Sequence, residues 1–310
     1  MRLLFIYKII QIIKNTFYKT YVCYHPHFKK FSTVSNMGNK GRLGNQLFQY
    51  AAIRSYSLKF NLPILLPIDK YIKISKLNVA CKYVNRSYLE NVKRVIYNEE
   101  DFVFDKKIFV ENLKYDINGY FQSEKYFLNI RDMLLKELIP IEDKINDYCK
   151  NYIQNLRNEF PGKFIVSLHN RRGDNVPSNH RYSSKELGVF KENKNQFHPL
   201  MEVGYFKKAK DRFSNSIFLV FSDTDVDIAW CKKHLNDNQT YFSEGHDEIT
   251  DLMLMKNCDH NIISNSSFSW WGAWLNENPQ KIVIAPKVWF GEAYKHLDTR
   301  DLIPNAWEVL

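Results

Sequence analysis

Cysteine is scarce and unpaired in this chain. Its five residues, Cys23, Cys81, Cys149, Cys231 and Cys258, are odd in number and widely separated, with no C-x-x-C pair. That spacing argues against zinc and against a disulfide framework, and it mildly favours a reducing compartment. Three N-x-S/T triplets begin at Asn85, Asn238 and Asn265 and would matter only in a secreted protein. The GK[ST] end of a P-loop, a complete G-x-G-x-x-G, zinc-finger spacing and an RNA-binding aromatic signature are all missing. So are internal repeats and low-complexity blocks, which removes repeat architectures.

Acidic residues are absent from one place. Residues 1–36 hold six Lys or Arg and no Asp or Glu, whereas the remainder carries 38 basic residues against 34 acidic ones. Most of the formal charge of +10 is therefore a tail. The nearly balanced remainder lacks the basic face of a nucleic-acid-binding domain, so no nucleic-acid partner is expected. The tail opens MRLLFIYKIIQIIKNTFYKTYVCY, apolar at nearly every helical position but broken by Lys8 and Lys14. Its apolar run is far shorter than the ~20 residues of a spanning helix, and no small-residue cleavage site is evident. Three readings stay open: a basic amphipathic helix in peripheral contact with a membrane, a degenerate signal anchor, or an extension ahead of Met37. The first fits a cytoplasmic protein or one at the cytoplasmic face of a membrane; the second would place it in the Golgi membrane.

What is present is the composition of a large globular protein. At 310 residues, 45% hydrophobic and 15% aromatic, the chain exceeds the size at which single cores stop growing, and two domains are the default. Punctuation divides it into a basic apolar extension over 1–36, a first lobe over 37–160 and a second over 161–310. GRLGNQLFQYAAIRSYSLKFNL, residues 41–62, predicts a glycine turn running into a helix, and LPILLP a short buried strand after it. Residues 143–159 predict an amphipathic helix, which Phe160, Pro161 and Gly162 break before a strand in KFIVSLH. Strands over 164–168, 217–221, HNIIS and 281–286 then alternate with helices over 202–213, in SDTDVDIAWCKKHL and around DLMLMKNC. Continuous apolar runs such as FIVSL and IFLVF suit strands covered on both faces, which predicts α/β architecture with parallel sheets.

In such sheets ligands bind beyond the carboxyl ends of the strands. VSLHNRRGDN places His169, Arg171, Arg172 and Asp174 at that end of one strand, and SDTD places Asp223 and Asp225 at that end of the next. Both clusters are expected on one crevice. Arginine offers a permanent charge in a rigid fork that fits phosphate oxygens, so two beside a turn glycine suit a diphosphate. An Arg–Asp ion pair closing a loop is the plainer alternative. In NCDHNIISNSSFSWWGAWLN, residues 257–276, Asn265, Ser266, Ser267 and Ser269 stand where a helix should begin, and helix N-termini bind anions through free N–H groups. Trp274 reads as core packing, while the serines ahead of Phe268, Trp270 and Trp271 fit a phosphate site walled by aromatics. GRLGN, residues 41–45, lets the backbone approach a ligand or another segment.

GRLGNQLFQYA, GYFQSEKYF, VSLHNRRGDN, FLVFSDTDVDIAW and DLMLMKNCDHNIISNSSFSWWGAWL occur in this order, followed by KIVIAPKVWF and Asp301, Pro304 and Trp307 spaced as D-x-x-P-x-x-W. From residue 41 onward the chain resembles the α-1,2-fucosyltransferases of glycosyltransferase family 11. The resemblance implies a GT-B-like fold, two Rossmann-like lobes facing across a cleft, with the second lobe holding GDP-β-L-fucose. It implies inverting transfer of fucose to the 2-hydroxyl of a terminal galactose on a glycan, with no cofactor and no metal. On it, Arg171 meets the diphosphate; His169, Arg172 and Asp174 shape that site; Asn265, Ser266, Ser267 and Ser269 extend it. Asp223 and Asp225 of SDTD, the one candidate for a metal, are read as contacting ribose or base, with metal binding as their other role. A base for the acceptor hydroxyl is not singled out among Asp174, Glu248 and Asp251; Asp174 is favoured, with orientation of the arginines as its other role. The chain departs from the family in its polar FSTVSNMGNKG, in Arg42 where a second glycine is common, in Asn170, and in Asn175 where Tyr is frequent. The first strand is accordingly expected to be weak, displaced or absent.

Overall fold

The structure is a computed structural model that describes residues 30–110, 115–173 and 197–310. The N-terminal helix readings, Cys23, Asp174 and Asn175 lie outside the described residues. The first sheet comprises β1 (Ser32–Thr33), β2 (Ile64–Pro67), β3 (Lys82–Val84), β4 (Val95–Asn98) and β5 (Tyr115–Asn118), in the order β3-β2-β1-β5-β4. Every pairing in it is parallel. Its helices are α1 (Leu43–Phe60) and the short α2 (Arg86–Asn91); α3 (Arg131–Glu137) and α4 (Asp143–Glu159) lead out of it. The second sheet comprises β6 (Phe164–Asn170), β7 (Ser216–Ser222), β8 (Thr240–Phe242), β9 (His260–Ile262), β10 (Val283–Ala285) and β11 (Glu308–Val309), ordered β11-β10-β9-β6-β7-β8. It too is parallel throughout, and is crossed by α5 (Val203–Lys210), α6 (Asp225–His234), α7 (Glu248–Asn257) and α8 (Ser267–Leu275). Two α/β lobes with parallel sheets is the expected GT-B-like architecture.

The first strand is neither absent nor displaced to the edge. Ser32 and Thr33 are wholly buried at the centre of their sheet, inside the stretch 1–36 read as an extension and ahead of the lobe start expected at 37. Hydrogen bonds replace the missing apolar pattern. Asp116 on β5 accepts from the N–H of Ser35 at 2.9 Å and its hydroxyl at 2.5 Å, and from Arg94 Nε at 3.0 Å. Buried Phe31 and Val34 flank the pair.

The lobes are not separate cores. Phe48 of α1 packs on Trp270 and Trp271 of α8, with ring centroids 4.5 and 5.0 Å apart, and Phe127 stacks on Trp271 at 5.3 Å. One apolar cluster therefore runs from the first lobe beneath the cleft into the second. The D-x-x-P-x-x-W ending adds to this tie: Asp301 accepts from Phe104 N–H at 3.0 Å and Lys125 Nζ at 2.5 Å, and Trp307 meets Trp270 at 5.3 Å.

Candidate active site

The carboxyl ends of β6 and β7 open onto a cleft of about 720 Å³, closed on the far side by residues 39–45 of the first lobe. A chamber of about 320 Å³ adjoins it, and Arg171 lines both. β6 runs two residues past its expected end, because His169 and Asn170 still pair with Phe221 and Ser222. The charge at the end of this buried strand therefore begins where the sheet meets the cleft.

Two helices point their N-termini at this place. Gly44 in the first turn of α1 lies against the start of α8: a Cβ there would stand 2.5 Å from Phe268 N and 2.7 Å from Ser267 Oγ. The segment that GRLGN was expected to let approach is thus the serine-rich turn. Neither α1 nor α8 has a side-chain cap on its first turn. Their free N–H groups and positive dipole ends converge beside Arg171 and Arg42. Ser266, only 1% exposed, lines the cleft, and its hydroxyl has no hydrogen-bond partner among the described residues. A buried hydroxyl in that condition is costly unless a ligand meets it.

The arginines are sorted by an aspartate. Asp223 takes the Arg172 N–H at 2.9 Å, and its Oδ1 lies 3.4 Å from Arg42 Nη2 and 4.0 Å from Arg171 Nε. Burial pushes this carboxyl up, but Arg171, Arg42 and His169 outweigh it and hold Asp223 below the usual carboxylate range. Gly173, at φ +28°, presses so close to Asp223 that a side chain there would clash. Asp223 lines the cleft, as expected of a ligand contact, and at the same time orients the arginines. Asp225 also lines the cleft, at the start of α6.

Arg172 is a correction. Its guanidinium lies 3.7 Å over the Trp230 ring and 3.7 Å from Asp227, and it lines neither cavity. Of the adjacent pair only Arg171 lines the cavities. Ser269 is a second correction: it is buried in α8, its hydroxyl donates to Ser266 O at 3.3 Å, and it reaches neither cavity. Asn265 borders the smaller chamber, while its amide ties two loops by donating to Pro199 O at 2.9 Å and Trp289 O at 3.2 Å. Ser267 lines both cavities. The expected aromatic wall reduces to Phe268, since Trp270, Trp271 and Trp274 are all core.

His169 lines the cleft with Nδ1 3.1 Å from Ser264 Oγ; burial drives its pKa down to about 4, so the ring is neutral at pH 7. Glu248 and Asp251 also line the cleft, Glu248 paired with Lys73 at 3.2 Å and Asp251 accepting from Ser243 Oγ at 2.7 Å. Among the described residues no group of three or more His, Cys, Asp or Glu converges as a metal site, and no helix is long and apolar enough to cross a membrane. Sequence reasoning missed Arg42, whose position at a glycine turn was its only signal. It also missed Glu99, Tyr120, His198 and Tyr294 of the smaller chamber; only Tyr120, inside GYFQSEKYF, lay in a quoted motif.

The sequence profile of glycosyl transferase family 11 matches residues 6–308. The chain belongs to this family. It is 31% identical to the alpha-1,2-colitosyltransferase of Escherichia coli, covering 86% of this chain and 95% of that protein. Against the galactoside 2-alpha-L-fucosyltransferase Sec1 of Mus musculus it is 24% identical, over 76% of this chain and 62% of that one. Among solved structures the fucosyltransferase NodZ from Bradyrhizobium overlays with a TM-score of 0.44 at 10% identity, covering 79% of this chain and 93% of that one, too loose a fit to inform the site. The chain is thus a glycosyltransferase of family 11.

Proposed function

We propose that this glycosyltransferase moves L-fucose from GDP-β-L-fucose to the 2-hydroxyl of a terminal galactose on a glycan, with inversion and without a metal. The observation that carries the reading is a cluster in the cleft: two uncapped helix N-termini touching at Gly44, the Ser266 hydroxyl, which has no partner among the described residues, and Arg171 with Arg42 beside them. A diphosphate matches this set. As the sugar leaves, negative charge grows on the departing GDP, and Arg171 and the helix ends, already in place, stabilise that charge more than the ground state. His169, neutral at pH 7, adds no positive charge, so the cationic contribution is that of Arg171 and Arg42.

The test is incubation with GDP-fucose and a terminal β-galactoside in the presence of EDTA. A 2-linked α-fucoside is the expected product. Loss of activity in EDTA, restored by a divalent ion, would remove metal independence. Arg171→Ala should lower donor affinity or rate by roughly 2 to 4 kcal/mol, and Arg171→Lys should recover only part because an ammonium cannot reproduce the fork. Wild-type turnover in either variant would refute that role. The 31% identity to a colitosyltransferase favours a second reading in which another GDP-sugar is the donor. Product from a colitosyl donor and none from GDP-fucose would establish it and leave the anion pocket as described.

A further inference from the structure

Inverting transfer leaves a proton on the acceptor oxygen. Direct displacement brings the acceptor in from the side opposite the departing diphosphate, so a base belongs across the cleft from β6 and α8. Glu248 and Asp251 are on α7, in the same lobe as the anion pocket, and both are already engaged. The smaller chamber lies toward the first lobe. Its rings include Tyr120, stacked with Phe102 at 5.8 Å, and Phe290, 4.7 Å from Phe102, apolar faces suited to a sugar ring.

Glu99, which follows β4 directly, stands on this chamber's wall with Arg171 lining it from the other lobe. Its carboxylate is built into place. Oε2 accepts from the N–H of Tyr120 at 2.6 Å and of Phe121 at 2.9 Å, and Oε1 from Phe121 at 3.0 Å. Phe121 reaches this position at φ +54°, a left-handed conformation that costs a non-glycine residue on the order of 1 kcal/mol. A Cβ at Gly119 would stand 2.6 Å from Glu99 Oε2. Backbone strain and a forced glycine both serve the grip on one carboxylate, and an ionised carboxylate with about four acceptor positions keeps one for a ligand.

We propose that Glu99 is the general base that accepts the proton of the acceptor hydroxyl, an inference that rests on the glycosyl-transfer reading above. The hydroxyl oxygen bonds to C1 of the donor sugar as the bond from C1 to the β-phosphate oxygen breaks. That electron pair departs on GDP beside Arg171, and the hydroxyl proton passes to a Glu99 carboxylate oxygen. Burial raises the Glu99 pKa to about 7, aided by Asp101 and opposed by the Phe121 and Tyr120 N–H groups and by Lys40. Tyr97, Tyr120 and Tyr126 are phenols that feel the charge of Glu99, and Glu100, Arg171, His198 and Tyr294 are the further charged and titratable groups of the chamber.

The test compares wild type, Glu99→Gln and Glu99→Asp in the full-length protein, reading GDP affinity by calorimetry and transfer to a β-galactoside from pH 5.5 to 9. Wild-type transfer is expected to rise through an apparent pKa near 7. Glu99→Gln keeps an acceptor for the amides, so GDP affinity should stay within about twofold while transfer falls roughly 100-fold or more and the acid limb disappears. Glu99→Asp should be slower but keep the limb. An unimpaired Glu99→Gln enzyme, or one slowed equally at all pH with its limb intact, overturns the proposal and leaves Glu99 as the clamp of the Tyr120 turn. Should Glu99→Gln lose GDP binding, Glu99→Asp decides: wild-type rate or a lost limb overturns the role. A wild type that binds GDP but transfers no sugar strikes the glycosyl-transfer reading itself, and Glu99 with it.

Discussion

His169 and Arg171 are two residues apart on one strand end, yet the chain treats their charge oppositely. Arg171 carries a permanent charge, with Asp223 Oδ1 4.0 Å from its Nε. His169 gives its charge up: burial, reinforced by Arg171 and Arg42, brings its pKa down to about 4 against an opposing pull from Asp223. An unfolded histidine titrates near 6.5, so between pH 6.5 and 4 the unfolded chain binds a proton that the folded one refuses. The stability held by a neutral His169 is complete above pH 6.5 and lost as pH falls toward 4, on the order of 3 kcal/mol in all. Melting at pH 7 and pH 4.5 should therefore show a larger drop for wild type than for His169→Gln, which has nothing to protonate. Equal drops would mean that the ring is charged or solvated in the fold. This environment was not legible in HNRRGDN, where nothing tells whether His169 is buried; nor was the division of labour between Arg171 and Arg172, which depends on Trp230 and Asp227 arriving from α6.

At the scale of elements, the site is an encounter between the start of α1 and the start of α8. Gly44→Ala would press a methyl against Phe268 N at 2.5 Å and Ser267 C at 2.6 Å, and backbone cannot swing aside as a side-chain tip can. The helix ends must part, so GDP affinity should fall about tenfold or more and stability by roughly 1 to 3 kcal/mol. Gly204→Ala is the control: it lies in α5 with nothing within 4 Å of the added Cβ, and alanine there should hold or raise the melting temperature. Wild-type GDP affinity in Gly44→Ala would show that the contact does not shape the pocket. The helices themselves were legible: α1 and α4 follow the predicted 41–62 and 143–159 closely, because the residues that break them, Gly41 before α1 and Phe160, Pro161 and Gly162 after α4, are local. The partner of Gly44 was not, since 223 residues separate it from Ser267. β3, β4, β5, β8 and β11 also escaped, being two to four residues long and too short to show a period, and β1 escaped because it is two polar residues held between Phe31 and Val34, with Asp116 gripping Ser35 just beyond it.

The molecule as a whole was legible as two α/β halves, but not as halves that share an apolar cluster. The break at Phe160, Pro161 and Gly162 marks where the chain passes from α4 to β6, and sequence alone makes it look like a boundary between independent units. The contacts say otherwise. Phe48, wholly buried, sits among Trp270, Trp271 and Phe127, and Trp270 Nε1 donates to Leu302 O at 2.9 Å beneath them. An apolar cluster shared in this way couples unfolding of the two sheets, because neither can open without exposing the tryptophans of α8. Phe48→Ala should therefore cost about 3 to 5 kcal/mol, and calorimetry should show a single transition moved down as a unit. If wild type melts in two steps and Phe48→Ala shifts only the earlier one, the lobes fold independently. The aromatic cluster would then be a docking interface that can separate, and the floor of the cleft would be free to move with it.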